Sequence, residues 1–207
     1  MAKPGPFAAL VEIVCAMLLF MAAAAADSDV PITIRAYNTF GVNGAAFTSA
    51  RAVAHRVLQL AGLQALWREC RTAAYQAPRD RCDDVLTRNE VIVRVVRGPR
   101  FSGATAPLGD SLIERPGGGG IFATVFADRV LSAGSRTGVH PAVLLGRAIA
   151  HEIGHLLIGA GHSTRGLMRA KWSDDELRRN RERDWLFLPS QAERMKGRSA
   201  LTTLAPE

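Results

Sequence analysis

The stretch AIAHEIGHLLIGAGHSTRGLM, Ala148 to Met168, constrains this chain more than any other. It lies in the longer run HPAVLLGRAIAHEIGHLLIG, which reads as one helix: Pro141 suits its first turn, and Gly159 and Gly161 stop it. His140 sits at the start of that helix and is better explained there than as a ligand. Within the helix, His151 and His155 are four residues apart, so they project from one face and can share a metal ion. Glu152 falls on an adjoining face, within reach of a metal-bound water instead of the metal. This is the spacing that metal-assisted hydrolysis requires: the ion acidifies the water and polarises a carbonyl, while the carboxylate moves the proton. The bland alternative is a core helix with polar caps.

Two histidines make an incomplete site, because catalytic zinc takes three protein ligands and keeps an open position. His162 is the expected third, carried back by a glycine turn at Gly159 and Gly161, since glycine accepts the positive φ of a sharp helix stop. The competing third ligand is Glu176. Ser173-Asp174-Asp175-Glu176, however, has the form of a capping box, which explains Glu176 without metal.

HEIGHLLIGAGH followed by Gly166-Leu167-Met168 resembles the metzincin zinc peptidases, whose motif is H-E-x-x-H-x-x-G-x-x-H with a methionine turn after it. The resemblance extends to small bacterial zinc peptidases. It implies Zn²⁺ on His151, His155 and His162, Glu152 as general base, and Met168 beneath the metal. It also implies an α+β, zincin-like fold: a twisted mixed sheet, a backing helix, an active-site helix and a small helical C-terminal part. An extended protein or peptide substrate is then expected along the strand Ile121 to Ala127. The chain departs from the motif by one residue, with six residues between His155 and His162. Neither Tyr37 nor Tyr75 follows Met168, where some metzincins place a tyrosine, so zinc and Glu152 are left with more of the chemistry.

The remainder of the chain fits one domain of that kind. Pro31–Asn38 alternates as a strand, Phe47–Leu63 carries apolar residues at helical spacing, and Asn89–Gly98 is a valine-rich strand. Short strands are expected at Ala65–Cys70 and near Leu112, and Ile121–Val130 reads as a strand running almost directly into the motif helix. His55 belongs to the amphipathic helix face, Gly117–Gly120 to a hairpin loop or cleft rim, and Trp172 and Trp185 to packing around a helix over Leu177–Arg183. A short helix follows Pro189.

Residues 1–26 read as a cleaved secretory signal: Lys3, an apolar run broken only by Glu12, and a small-residue end at Ala22–Ala26. Residues 27–198 then form the catalytic domain and 199–207 a disordered tail. With Cys15 in the signal, Cys70 and Cys82 remain, and an even pair in an exported chain is most simply a disulfide. The expected location is secreted or periplasmic, without a stable membrane anchor and as a monomer. The net charge of +7 gathers late in the chain, but acidic residues are interleaved and no nucleic-acid motif accompanies them, so no nucleic-acid partner is expected. Two other classes compete with the peptidase: a non-catalytic zinc-stabilised binding module, and a basic surface protein with structural histidines.

Overall fold

The computed structural model describes residues 31–70, 82–100, 106–113 and 119–204; the expected signal, Tyr75 and part of the Gly117–Gly120 quartet lie outside them. Five strands form one mixed sheet in the order β2-β1-β3-β5-β4, with β1 Ile32–Asn38, β2 Ala65–Cys70, β3 Glu90–Val96, β4 Gly109–Ile113 and β5 Gly120–Phe126. β2, β1, β3 and β5 run parallel, and β4 alone is antiparallel, along the edge of β5. Ile34, Val93, Val95, Ala123 and Val125 are fully buried in the centre of the sheet.

Helix α1, Gly44–Leu60, makes the crossover from β1 to β2. It starts three residues before the first apolar position expected, because the Asn43 side chain caps it by accepting the Ala46 N–H at 2.8 Å. Phe47, Ala50, Ala54, Val57 and Leu58 form its buried face. That face packs on α3, Pro141–Ile158, the helix of the histidine motif. The two helices approach so closely at Gly146 that a Cβ there would stand 2.6 Å from Val53 Cβ and collide with the Ala50 carbonyl. α3 is capped as expected: the His140 ring accepts the Ala142 N–H at 3.2 Å, and Pro141 occupies the first turn.

The largest difference from the sequence reading lies just before α3. Strand β5 stops at Phe126 and the chain enters helix α2, Ala127–Thr137, where a strand had been expected to continue to Val130. The buried residues Val130, Ala133, Gly134 and Thr137 follow helical spacing. Asp128 accepts the Gly98 N–H, and Arg129 binds the carbonyls of Pro99 and Pro107, which ties the new helix to two neighbouring loops. Beyond α3 come α4, Asp174–Arg179, a 3₁₀ turn at Glu182–Trp185, and α5, Pro189–Leu204, which reaches into the segment read as a tail.

At the far side of the sheet, Cys70 and Cys82 form the expected disulfide. The loop after it is held by Arg35, buried on β1, whose guanidinium donates to the carbonyls of Cys82, Asp84 and Val85 and to the Glu90 carboxylate. Glu90 also pairs with Arg68 at 3.0 Å. Burial alone would raise the Glu90 pKa; the Arg35 hydrogen bond, the Thr87 N–H and the two guanidinium charges outweigh it and bring the group to about 2.

A carboxylate depressed in the folded state stabilises above its ordinary pKa and loses that contribution as pH falls toward the folded value. Glu90 therefore supplies about 3 kcal/mol at neutral pH, lost as the pH falls from about 4.5 to about 2. Glu90→Gln is expected to lower neutral-pH stability by about that amount and to flatten the stability curve in this window. Urea titrations at stepped pH measure both; parallel curves for the two proteins would contradict the assignment.

Candidate metal centre

The turn after α3 decides where the third histidine goes. Gly159 takes φ 87°, in the left-handed region, and its N–H bonds the His155 carbonyl, ending the helix. Gly161 does not share that role: its φ is not positive, and its N–H donates to the Gly159 carbonyl at 2.9 Å. One glycine, not two, thus turns the chain, and His162 returns over the helix face despite the longer spacing.

His155 Nε2 stands 3.1 Å from His151 Nε2 and 3.2 Å from His162 Nε2. The three candidate ligand atoms lie within 4.8 Å of one another. Nitrogens bound tetrahedrally to one ion at about 2.0–2.1 Å would be roughly 3.3 Å apart, which the two separations from His155 match. The protonation pattern agrees. His151 Nδ1 lies 2.9 Å from the Leu167 carbonyl and His155 Nδ1 lies 3.1 Å from the Gly159 carbonyl. A carbonyl only accepts, so both Nδ1 atoms carry the hydrogen and both Nε2 atoms present lone pairs to each other. Burial pushes the His151 pKa down to about 4, with the neighbouring histidines and Arg169 acting in the same direction and the Leu167 carbonyl against it. Burial likewise lowers His155. Neutral imidazoles are the form that binds metal.

Glu152 is buried beside this cluster, and its carboxylate accepts a hydrogen bond from Ser111 Oγ at 2.7 Å. The same hydroxyl reaches the Glu152 carbonyl at 3.1 Å. Gly109, two residues back on the same face of β4, leaves the space that the Glu152 side chain fills; a Cβ there would lie 2.7 Å from Glu152 Cδ. Burial raises the Glu152 pKa to about 7, helped by the charge of Asp110 and opposed by the Ser111 hydrogen bond. A carboxyl that holds or releases a proton near neutrality is suited to proton transfer. Ser111 and Gly109 escaped the sequence reading, whose only hint was the short strand near Leu112.

Met168 is fully buried under the helix. Gly154 makes room for it, since a Cβ on Gly154 would stand 2.5 Å from Met168 Sδ and 2.8 Å from Phe187 Cε1. Glu176, the competing ligand, is occupied elsewhere: it closes the capping box with Ser173 and pairs with Arg169 at 3.4 Å. The cleft over the histidines has a volume of about 960 Å³; β4 and α2 form one side and the segment from Arg169 to Asp174 the other. β5 cannot present a free edge to a substrate along Ile121–Ala127, because it is paired with β3 on one side and β4 on the other. Among the described residues, the edge strand on this side of the sheet is β4.

The sequence matches no protein-family profile and no curated protein. In fold the chain is similar to a zinc-dependent peptidase from Methanocorpusculum labreanum, at TM-score 0.55 and 16% identity, over 78% of this chain and 99% of that one. It is also similar to archaemetzincin from Methanopyrus kandleri, at TM-score 0.50 and 15% identity, over 85% of this chain and 99% of that one. The expected α+β architecture is thus the observed one, and it is shared with zinc peptidases at the level of fold.

Gly154→Val drives a branched side chain into Met168 and Phe187, with no solvent to move into. Over-packing of about 1–3 kcal/mol is expected, a fall of roughly 3–10 °C in the thermal midpoint of the metal-free protein. A calorimetric scan checks it; an unchanged midpoint would mean that Met168 is not tightly held under the helix.

Proposed function

We propose that the chain is an exported zinc-dependent endopeptidase, acting as a monomer, with His151, His155 and His162 as ligands and Glu152 as general base. The observation that carries the proposal is the convergence of three imidazole Nε2 atoms beside a buried carboxylate, under the free edge of β4. The donor set suits zinc: three imidazoles, two of them oriented by carbonyls behind them, with room for water on the cleft side. When bound, zinc supplies a Lewis acid for the scissile carbonyl and lowers the pKa of the attacking water.

The rest of the work falls to the chain. An extended peptide adds to β4 as a further strand, its backbone pairing with the edge that no other described strand occupies while alternate side chains enter the cleft. Glu152 takes the proton from the attacking water and returns it to the leaving nitrogen. Ser111 holds one carboxylate oxygen at 2.7 Å and leaves the other free for that transfer. Because Ser111 lies on β4 itself, the strand that receives the substrate also orients the base. Ala133, Ala148 and Leu177, all buried, provide an apolar floor to one end of the cleft.

Export is supported by the Cys70–Cys82 disulfide, which belongs to an oxidising compartment, together with the signal-like residues 1–26. Among the described residues no helix is long and apolar enough to cross a membrane.

Metal content and peptide-library cleavage test the assignment. Glu152→Gln is expected to retain one zinc per chain and to lose about 10²–10⁴-fold in kcat/KM. His162→Ala is expected to lose zinc and activity together. Zinc without cleavage in the unaltered protein would turn the assignment to a binding module, and no zinc at all would remove it.

Ser111→Ala is expected to lower kcat about tenfold, equivalent to about 1.4 kcal/mol, with KM and zinc content little changed. Ser111→Thr should recover most of the loss. A fall confined to KM would instead place Ser111 in substrate binding.

A further inference from the structure

We propose that Trp172 is a positioning residue of the metal centre, its indole N–H sharing the Leu167 carbonyl with His151 and thereby fixing the ring that presents the first Nε2. The inference rests on the histidine cluster holding a metal and does not require hydrolysis.

Leu167 O is the acceptor for two side chains: His151 Nδ1 at 2.9 Å and Trp172 Nε1 at 3.2 Å. The same residue's N–H donates to the Leu186 carbonyl at 2.8 Å, so the backbone of Leu167 is held from both sides immediately before Met168. The acceptor behind His155 is doubly bonded too, since Gly159 O receives both His155 Nδ1 and the Gly161 N–H. At Gly159 the second donor is backbone from the same turn. At Leu167 that place is taken by an indole five residues on.

The indole also touches the ligand ring. Trp172 meets His151 edge to face, with centroids 5.6 Å apart and an interplanar angle of 85°. Behind it stands Trp185, again edge to face, at 5.2 Å. Trp185 is buried beneath two guanidiniums, Arg147 at 4.3 Å and Arg169 at 5.1 Å from its ring centre. Arg147 is anchored on Asn180 at 2.7 Å, and Arg169 on the Asp184 carbonyl at 3.1 Å. A packing tryptophan needs none of this registration. Here a chain of contacts runs from two anchored cations through two indoles to one metal ligand, so His151 cannot tilt without displacing Trp172.

Trp172→Phe keeps a ring against His151 and removes the N–H. Zinc affinity is measured by competition with a chromophoric chelator, and ligand geometry by the visible absorption of the Co²⁺-substituted protein. Loss of an outer hydrogen bond of this type is expected to weaken zinc at least tenfold and to alter the Co²⁺ spectrum. Asn43→Ala, which removes the cap of α1, controls for general destabilisation and should bind both metals as the unaltered protein does. Unchanged zinc affinity in Trp172→Phe, or an equal loss in Asn43→Ala, would overturn the proposal. Failure of the unaltered protein to bind zinc would overturn the metal centre with it. The expected affinity pattern without any peptide cleavage would support the role of Trp172 and count against the peptidase alone.

Discussion

Nearly every residue of α3 from Ala142 to Ile158 is buried, and the structure is organised by what this burial demands. A buried polar group is costly unless it finds a partner. α3 carries four such side chains, and each partner comes from a different place: Asn180 after α4 for Arg147, Leu167 O in the segment before Met168 for His151, Ser111 on β4 for Glu152, and Gly159 O in the glycine turn for His155. Satisfying one helix thereby fixes the loops and the edge strand around it. The Nε2 atoms of His151 and His155, with that of His162, then meet on the cleft side of the helix.

That dependence explains which parts of the fold could be read from the sequence. The cap at His140, Pro141, the four-residue histidine spacing and the glycine stop are local, and each is realised within a turn or two of its own residues. β1, β2, β3 and α1 were legible for the same reason, through alternation, valine content and helical spacing. The extra residue between His155 and His162 was the one local uncertainty. It is resolved by Gly159 alone, while Gly161 keeps an ordinary φ and contributes its N–H.

What escaped depends on neighbours distant in sequence. Phe126, Ala127 and Val130 suit a strand or a helix, and the choice is made by Asp128 and Arg129, whose partners are Gly98, Pro99 and Pro107. The edge position of β4 follows from strand order, which no single segment encodes; hence Ile121–Ala127 was taken for the substrate strand although it is interior. Ser111 and Trp172 look like ordinary residues until the strand and the turn that carry them are laid against α3.

The positive charge shows the same limit in electrostatic form. The net charge gathers late in the chain, where Arg178, Arg179, Arg181 and Arg183 are exposed. Arg169 is buried against Trp185 with a carbonyl and Glu176 as partners, and Arg194 donates to the Ile158 carbonyl at the end of α3, where a cation offsets the negative end of the helix dipole. Arg35 and Arg147, earlier in the chain, are buried as well. A formal charge counts guanidiniums without asking what they cover. Several of these are interior struts, placed where a planar group with five donors can bind carbonyls and stack on an indole at once. The arginines that matter most here act inward, on the elements that hold the histidines.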